Sequence, residues 1–198
     1  MDLLVVGLGN PGAEYEGTRH NIGAMAVELL VARHHGSLSA EKGLQARAGQ
    51  IRIDDHPVLC AVPLTYMNES GQAVAPLLRR AGIAEPADGT APVSRLVVVH
   101  DELDLPSGRV KVKVGGGTAG NNGLKSIHAH LHTGDYLRVR IGIGKPPGRQ
   151  PGADYVLKRP GKDEWEVLAV AAEVAADAVE LIVKVGVESA MNRVNTAE

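Results

Sequence analysis

Five side chains in this sequence have the types and placement that suit hydrolysis: Asn10, His20, Asn68, Asp101 and Asn122. Together they make one imidazole, one carboxylate and three amides, and no serine or cysteine stands in an evident nucleophile turn. That inventory fits attack by water. A histidine takes the proton, a carboxylate fixes its tautomer and stabilises the imidazolium, and amides hold a carbonyl and its developing oxyanion. An ester, with a better leaving group than an amide, suits such modest equipment. Taken singly, each residue has a commoner use, since asparagine most often caps a helix or makes a turn.

The elements that must hold these residues start with the opening stretch, LLVVGLGNPGAEYEGTRHN. Leu3, Leu4, Val5 and Val6 predict an internal strand, and Gly7, Gly9, Pro11 and Gly12 a tight turn at its carboxyl end. In an open α/β sheet that is where ligands bind. His20 then falls where a helix should begin, as Ile22, Met25, Ala26, Leu29 and Leu30 recur at helical spacing. The three glycines also match the dinucleotide fingerprint, which needs its third glycine in the first turn of a helix and an acid at the end of a second strand. Here a polar stretch, Glu14 to Arg19, follows Pro11, and the place for that acid lies inside a helix. A nucleotide-dependent oxidoreductase is therefore the weakest reading.

Further along, Gln45 to Ile53 and Pro57 to Val62 predict a hairpin turning at Asp54, Asp55 and His56. Asn68 stands where a cap is expected for a helix holding Val74, Leu77 and Leu78. Glu85 to Pro92 reads as a polar loop. Arg95 to Val99 is a buried-type strand ending at His100 and Asp101. Arg109 to Val114 alternates basic residues with valine, a strand with one wet face. Asn121 to Leu131 reads as a helix and Leu137 to Ile143 as a strand. The last long helix, Lys162 to Lys184, carries an apolar stripe of Val167, Leu168, Ala171, Val174, Ala178, Leu181, Ile182 and Val185. A shorter helix follows from Gly186 to Asn192, with a fraying tail. With no repeat or dividing linker, these elements predict one α/β domain over residues 1–198, a sandwich with a twisted mixed β-sheet flanked by helices.

Charge is unevenly spread. Residues 105–162 hold eleven Lys and Arg against Asp135 and Asp154, a net of +9, within a chain whose formal net charge is −2. The same segment holds a glycine-rich loop, Gly115 to Gly120, whose backbone amides, leading into a helix, can bind phosphate. A polyanionic partner is expected. The single cysteine, Cys60, lies in an apolar strand and reads as a buried, inert thiol. The absence of a membrane-length apolar run or an export signal predicts a reducing, cytoplasmic setting. Asp101, Glu102 and Asp104 crowd one turn too short for a magnesium cage. His128, His130 and His132 have no further ligand motif to make a zinc site.

The segments GLGNPGAEYEGTRHN, PLTYMNESG, VVVHDELDLPSGRVKVKVGGG, NNGLKSI and NRVN, in this order and spacing, closely resemble the bacterial peptidyl-tRNA hydrolase family. The likeness spans nearly the whole chain. It implies a single-domain α/β enzyme, monomeric and without metal, cofactor or obligate protein partner, that cleaves the ester between an N-blocked peptide and the 3′ end of tRNA. It further implies that His20 activates water and Asp101 orients it, that Asn10 holds substrate near the ester, and that Asn68 and Asn122 position the peptide and the tetrahedral state. Tyr15, Tyr66 and Met67 would line the cleft. Lys111, Lys113, Lys125, Arg138 and Arg140 would face the tRNA acceptor end.

Two departures from the family pattern stand out. Thr118 and Asn121 occupy positions where the family customarily has histidines, and Tyr66 replaces a phenylalanine, adding a hydroxyl that needs a partner if buried. The leading alternative function is a non-catalytic RNA-binding protein on the same scaffold. Joint retention of Asn10, His20, Asn68, Asp101 and Asn122 argues against it.

Overall fold

Every residue of the opening strand, β1 (Leu3–Gly7), is covered, as suits a strand in the middle of a sheet with helices on both faces. The computed structural model describes residues 1–83 and 93–197, so the expected Glu85 to Pro92 loop lies outside the described residues. β1 pairs in parallel with β4 (His56–Pro63) and β5 (Val93–Glu102). β5 in turn pairs in parallel with β7 (Tyr136–Gly142). Antiparallel strands complete both sides: β3 (Ala46–Ile53) on β4, β2 (Ser39–Glu41) on β3, and β6 (Val110–Val114) on β7. The order β2-β3-β4-β1-β5-β7-β6 makes one seven-stranded mixed sheet, the expected fold class.

Alternation along the strands splits the core in two. Leu3, Val5, Val97 and Val99 face α1 (Ile22–Arg33), α4 (Gly152–Val156), α5 (Lys162–Val185) and α6 (Val187–Thr196). Leu4, Val6, Leu96 and Val98 face α2 (Gly71–Ala81) and α3 (Asn122–Leu131). By the same alternation Asp101, two residues beyond Val99, points to the α1 side. Gly23 lets α1 sit directly on β5, since a Cβ there would lie 2.1 Å from the Val99 carbonyl oxygen. That contact brings the start of α1 up to the end of β5.

Three sequence expectations change, and two short elements went unread. Asn68 caps nothing: it lies in a 3-10 turn, Met67–Glu69, and α2 starts after Ser70, with the Gly71 N–H donating to Ser126 Oγ at 2.9 Å. On α5 the buried face is an alanine-rich strip, Ala171, Ala172, Ala175, Ala176 and Ala178 with Leu168, Val179 and Ile182, while Val167 and Val174 are exposed. Small residues allow α5 to pack closely on α1 and the sheet, so the larger valines at the margin stay outside. The tail does not fray at Asn192 but continues as helix to Thr196. Asn195 holds it, accepting from the Val112 N–H at 2.8 Å and donating to the Val112 carbonyl at 2.9 Å. Its amide thus stands in for a neighbouring strand on edge strand β6, satisfying groups that would otherwise invite another chain. Finally, β2 and α4 are too short and irregular in pattern to be read from the sequence.

Candidate active site

The 3-10 turn Arg19–Asn21, between the Pro11 turn and α1, puts His20 against the end of β5. His20 Nδ1 lies 2.8 Å from Asp101 Oδ2 and 3.0 Å from Oδ1. Both groups are buried, at 7% and 4% exposure. With Nδ1–H donating to the carboxylate, Nε2 carries the lone pair and has no protein partner among the described residues. This is the tautomer a general base needs. Burial pulls the imidazole pKa down, but the charge and hydrogen bond of Asp101 outweigh it, and the net value lies above the ordinary 6.5.

Asn10 is fixed from three directions. Its backbone N–H donates to Asn21 Oδ1 at 2.8 Å and its carbonyl accepts from Asn21 Nδ2 at 2.9 Å. Its own Oδ1 accepts from the Met67 N–H at 2.7 Å. The amide Nδ2 of Asn10 is thereby left to donate elsewhere. The Met67 contact also ties the 3-10 turn carrying exposed Asn68 to the same point. On the opposite side, Asn121 caps α3, its Oδ1 accepting from the Gly123 and Leu124 N–H groups, and its Nδ2 reaches Asp101 Oδ1 at 3.2 Å. Asn122, the next residue, is exposed as the first of that helix. His20 and Asp101 are thus in direct contact, Asn10 is joined to the same turn through Asn21, and Asn68 and Asn122 each follow a residue that bonds to this group. Asn21 was missed as an anchor, although it stands beside His20 in the opening motif.

Tyr15 and Tyr66 meet edge-on with ring centroids 6.3 Å apart, and Met67, next to Tyr66, is buried in the core on the α2 and α3 side. Tyr66 is 54% exposed, so its hydroxyl needs no protein partner. A cavity of about 650 Å³ adjoins this region, sharing Asn10 and Asn21 and lined also by Met25, Arg47, Leu64 and Trp165. Its lining does not include His20 or Asp101, which are brought together by their hydrogen bond instead.

Behind His20, Arg19 forms a clamp. Its guanidinium makes two 2.7 Å bonds to Glu164, donates to the Tyr155 and Lys158 carbonyls, and stacks 4.0 Å from the Tyr155 ring centroid. A bidentate pair of this kind fixes direction as well as distance. It fastens the turn that carries His20 to α4 and α5.

The basic strand pair departs from expectation in one respect. Lys111 pairs with Arg140 and Lys113 with Arg138 across β6 and β7, so all four lie on one face of the sheet. Lys113 and, on α3, Lys125 are exposed, and Lys111 is half-buried. Arg138 does not face outward: it is 3% exposed, and its guanidinium donates to the carbonyls of Gly116, Gly117 and Gly134 and to His128 Nε2. It holds the glycine loop in place, and Gly115 and Gly116 take positive φ of 64° and 122° to present those carbonyls. Arg140 is half-satisfied, paired with Glu102 at 2.8 Å. Burial and the Arg138 charge keep the His128 pKa low, which suits its role as acceptor.

Cys60 is buried and burial pushes its thiol up to about 12, so it is an inert thiol. Among the described residues no group of three or more His, Cys, Asp or Glu could hold a metal ion. No helix there is long and apolar enough to cross a membrane.

Comparison with known proteins places the chain in a family. The family model described as peptidyl-tRNA hydrolase matches residues 4–198. The peptidyl-tRNA hydrolase of Nocardia farcinica is 50% identical over 192 residues, covering 97% of this chain and 95% of the relative. That of Mycobacterium marinum is 48% identical over 193 residues, covering 98% and 97%. The crystal structure of peptidyl-tRNA hydrolase from Acinetobacter baumannii superposes with a TM-score of 0.89 at 37% identity, covering 99% of this chain and 95% of that one. The chain, with its seven-stranded mixed sheet, belongs to the peptidyl-tRNA hydrolase family.

Proposed function

We propose that this protein hydrolyses the ester between an N-blocked peptide and the 3′ end of tRNA, with His20 as the base and Asp101 as its orienting carboxylate. Family membership carries the reaction. The 2.8 Å contact between His20 Nδ1 and Asp101 carries the roles. Water bound at Nε2 loses a proton to the imidazole as its oxygen attacks the ester carbonyl. The resulting imidazolium is stabilised by the adjacent carboxylate. Asn68 and Asn122 offer amide N–H groups to the tetrahedral oxyanion, and Asn10 Nδ2 holds the peptide side of the ester. Collapse breaks the bond to the ribose oxygen, which takes the proton back from His20, releasing peptide acid and free tRNA.

Tyr15, Tyr66 and Met67 form the wall against which the substrate end lies. Lys111, Lys113 and Lys125 meet the acceptor-stem phosphates, with Arg140 supplying only the charge that Glu102 leaves. We place the enzyme in the cytoplasm, acting as a monomer. N-acetyl-aminoacyl-tRNA and unblocked aminoacyl-tRNA, each incubated with the protein in the presence of chelator, test the reading. Release of free tRNA from the blocked substrate alone is expected. Folded protein that binds tRNA without cleaving it would favour an RNA-binding role instead.

A further inference from the structure

We infer that Asn121 is a positioning residue for Asp101, one amide that fixes the carboxylate toward His20 while holding the start of α3, where Asn122 sits. The inference rests on the His20 and Asp101 reading. Its basis is the division of labour within the side chain. Oδ1 accepts from the Gly123 N–H at 2.9 Å and from the Leu124 N–H at 3.1 Å. Those two backbone donors dictate which end of the amide is oxygen, so Nδ2 must be the end facing Asp101 Oδ1 at 3.2 Å.

The carboxylate needs this support. Its side-chain partners are His20, which has to accept and release a proton in every cycle, and Asn121, which does not. A neutral N–H on Oδ1 sets the plane of the carboxylate without adding charge to compete with its pull on the imidazole. Asp101 is 4% exposed, so water has little access to replace that donor, and a hydrogen bond there is stronger than at the surface. Capping alone does not call for asparagine. Serine and aspartate cap as well, but serine's O–H sits on the same oxygen that takes the cap, one bond nearer the backbone, and does not span to Asp101, while an ionised aspartate has no hydrogen to give. Only the amide does both.

The test compares N121S and N121D, which keep the cap, by kcat, KM, thermal stability and the NMR titration of the His20 imidazole. For N121S, kcat falls on the order of tenfold through loss of alignment, with KM and melting temperature unchanged. N121D puts a second carboxylate beside Asp101, so the His20 pKa rises and the kcat profile shifts to higher pH, while repulsion between the two carboxylates lowers the melting temperature. Asp101 is the charged group acting on His20 among the described residues, which makes the direction of that shift specific. Wild-type kcat and an unmoved His20 titration in both variants overturn the inference and leave Asn121 a cap. Turnover retained by H20A would instead overturn the base assignment, and the His20 titration in N121D would still report whether residue 121 acts on the pair.

Discussion

A base must be unprotonated to act, and the surroundings of His20 raise its pKa above 6.5. Activity therefore falls on the acid side through a pKa higher than that of a free imidazole, and reaches its plateau only above it. In D101N the raising influence is lost and burial, which lowers the pKa, prevails. The acid limb moves to lower pH, while the plateau drops by roughly a hundred- to ten-thousandfold because the tautomer and the imidazolium lose their partner. A pH–rate profile of kcat for both proteins checks both signs. At this scale the sequence was a good guide to types and a poor one to surroundings. His20 and Asp101 were legible from motif and strand end, whereas the Asn121 contact spans from a helix cap to another strand and leaves no local pattern. Arg138 misled because a charge in a basic strand reads the same whether it faces solvent or ties down a loop.

At the level of elements, the site is only as rigid as the turn bearing His20. Arg19 fastens that turn to α4 and α5 through the Glu164 pair. Arg19→Ala strands a partly exposed carboxylate and two carbonyls, so a loss of about 2 kcal/mol in denaturant unfolding is expected, below the value for a fully buried pair, together with a drop in kcat. Asn195→Ala removes the substitute strand from β6 and lowers stability by about 1 kcal/mol, without affecting the pH profile. The long strands and helices were legible because burial imposes period on them. What escaped was set by tertiary contact: Asn68 looks like a cap, but the start of α2 is satisfied by Ser126 from α3, and the alanine face of α5 is chosen by how closely α1 approaches, which hydropathy alone does not encode.

Across the whole molecule, four of the basic residues, Lys111, Lys113, Arg138 and Arg140, share one sheet face, and the others are spread over α3, α5 and the connecting segments. The charge of that face is divided between structure and solvent, since Arg138 is sealed and Arg140 is paired. Neutralising Lys111 and Lys113 should weaken tRNA binding and flatten its dependence on log salt by up to about 0.9 per phosphate contact removed, leaving kcat at saturation near wild type. Binding isotherms over a salt series measure this. The α/β class and the polyanion partner were readable from strand patterning and charge distribution, and the substrate itself only from the combination of motifs. The most direct check of the central assignment is single-turnover cleavage of N-acetyl-aminoacyl-tRNA by H20A at enzyme concentrations that saturate the substrate, with tRNA affinity measured in parallel. A fall in the cleavage rate of about a hundred- to ten-thousandfold at unchanged affinity is predicted, and cleavage at the wild-type rate would contradict His20 as the base.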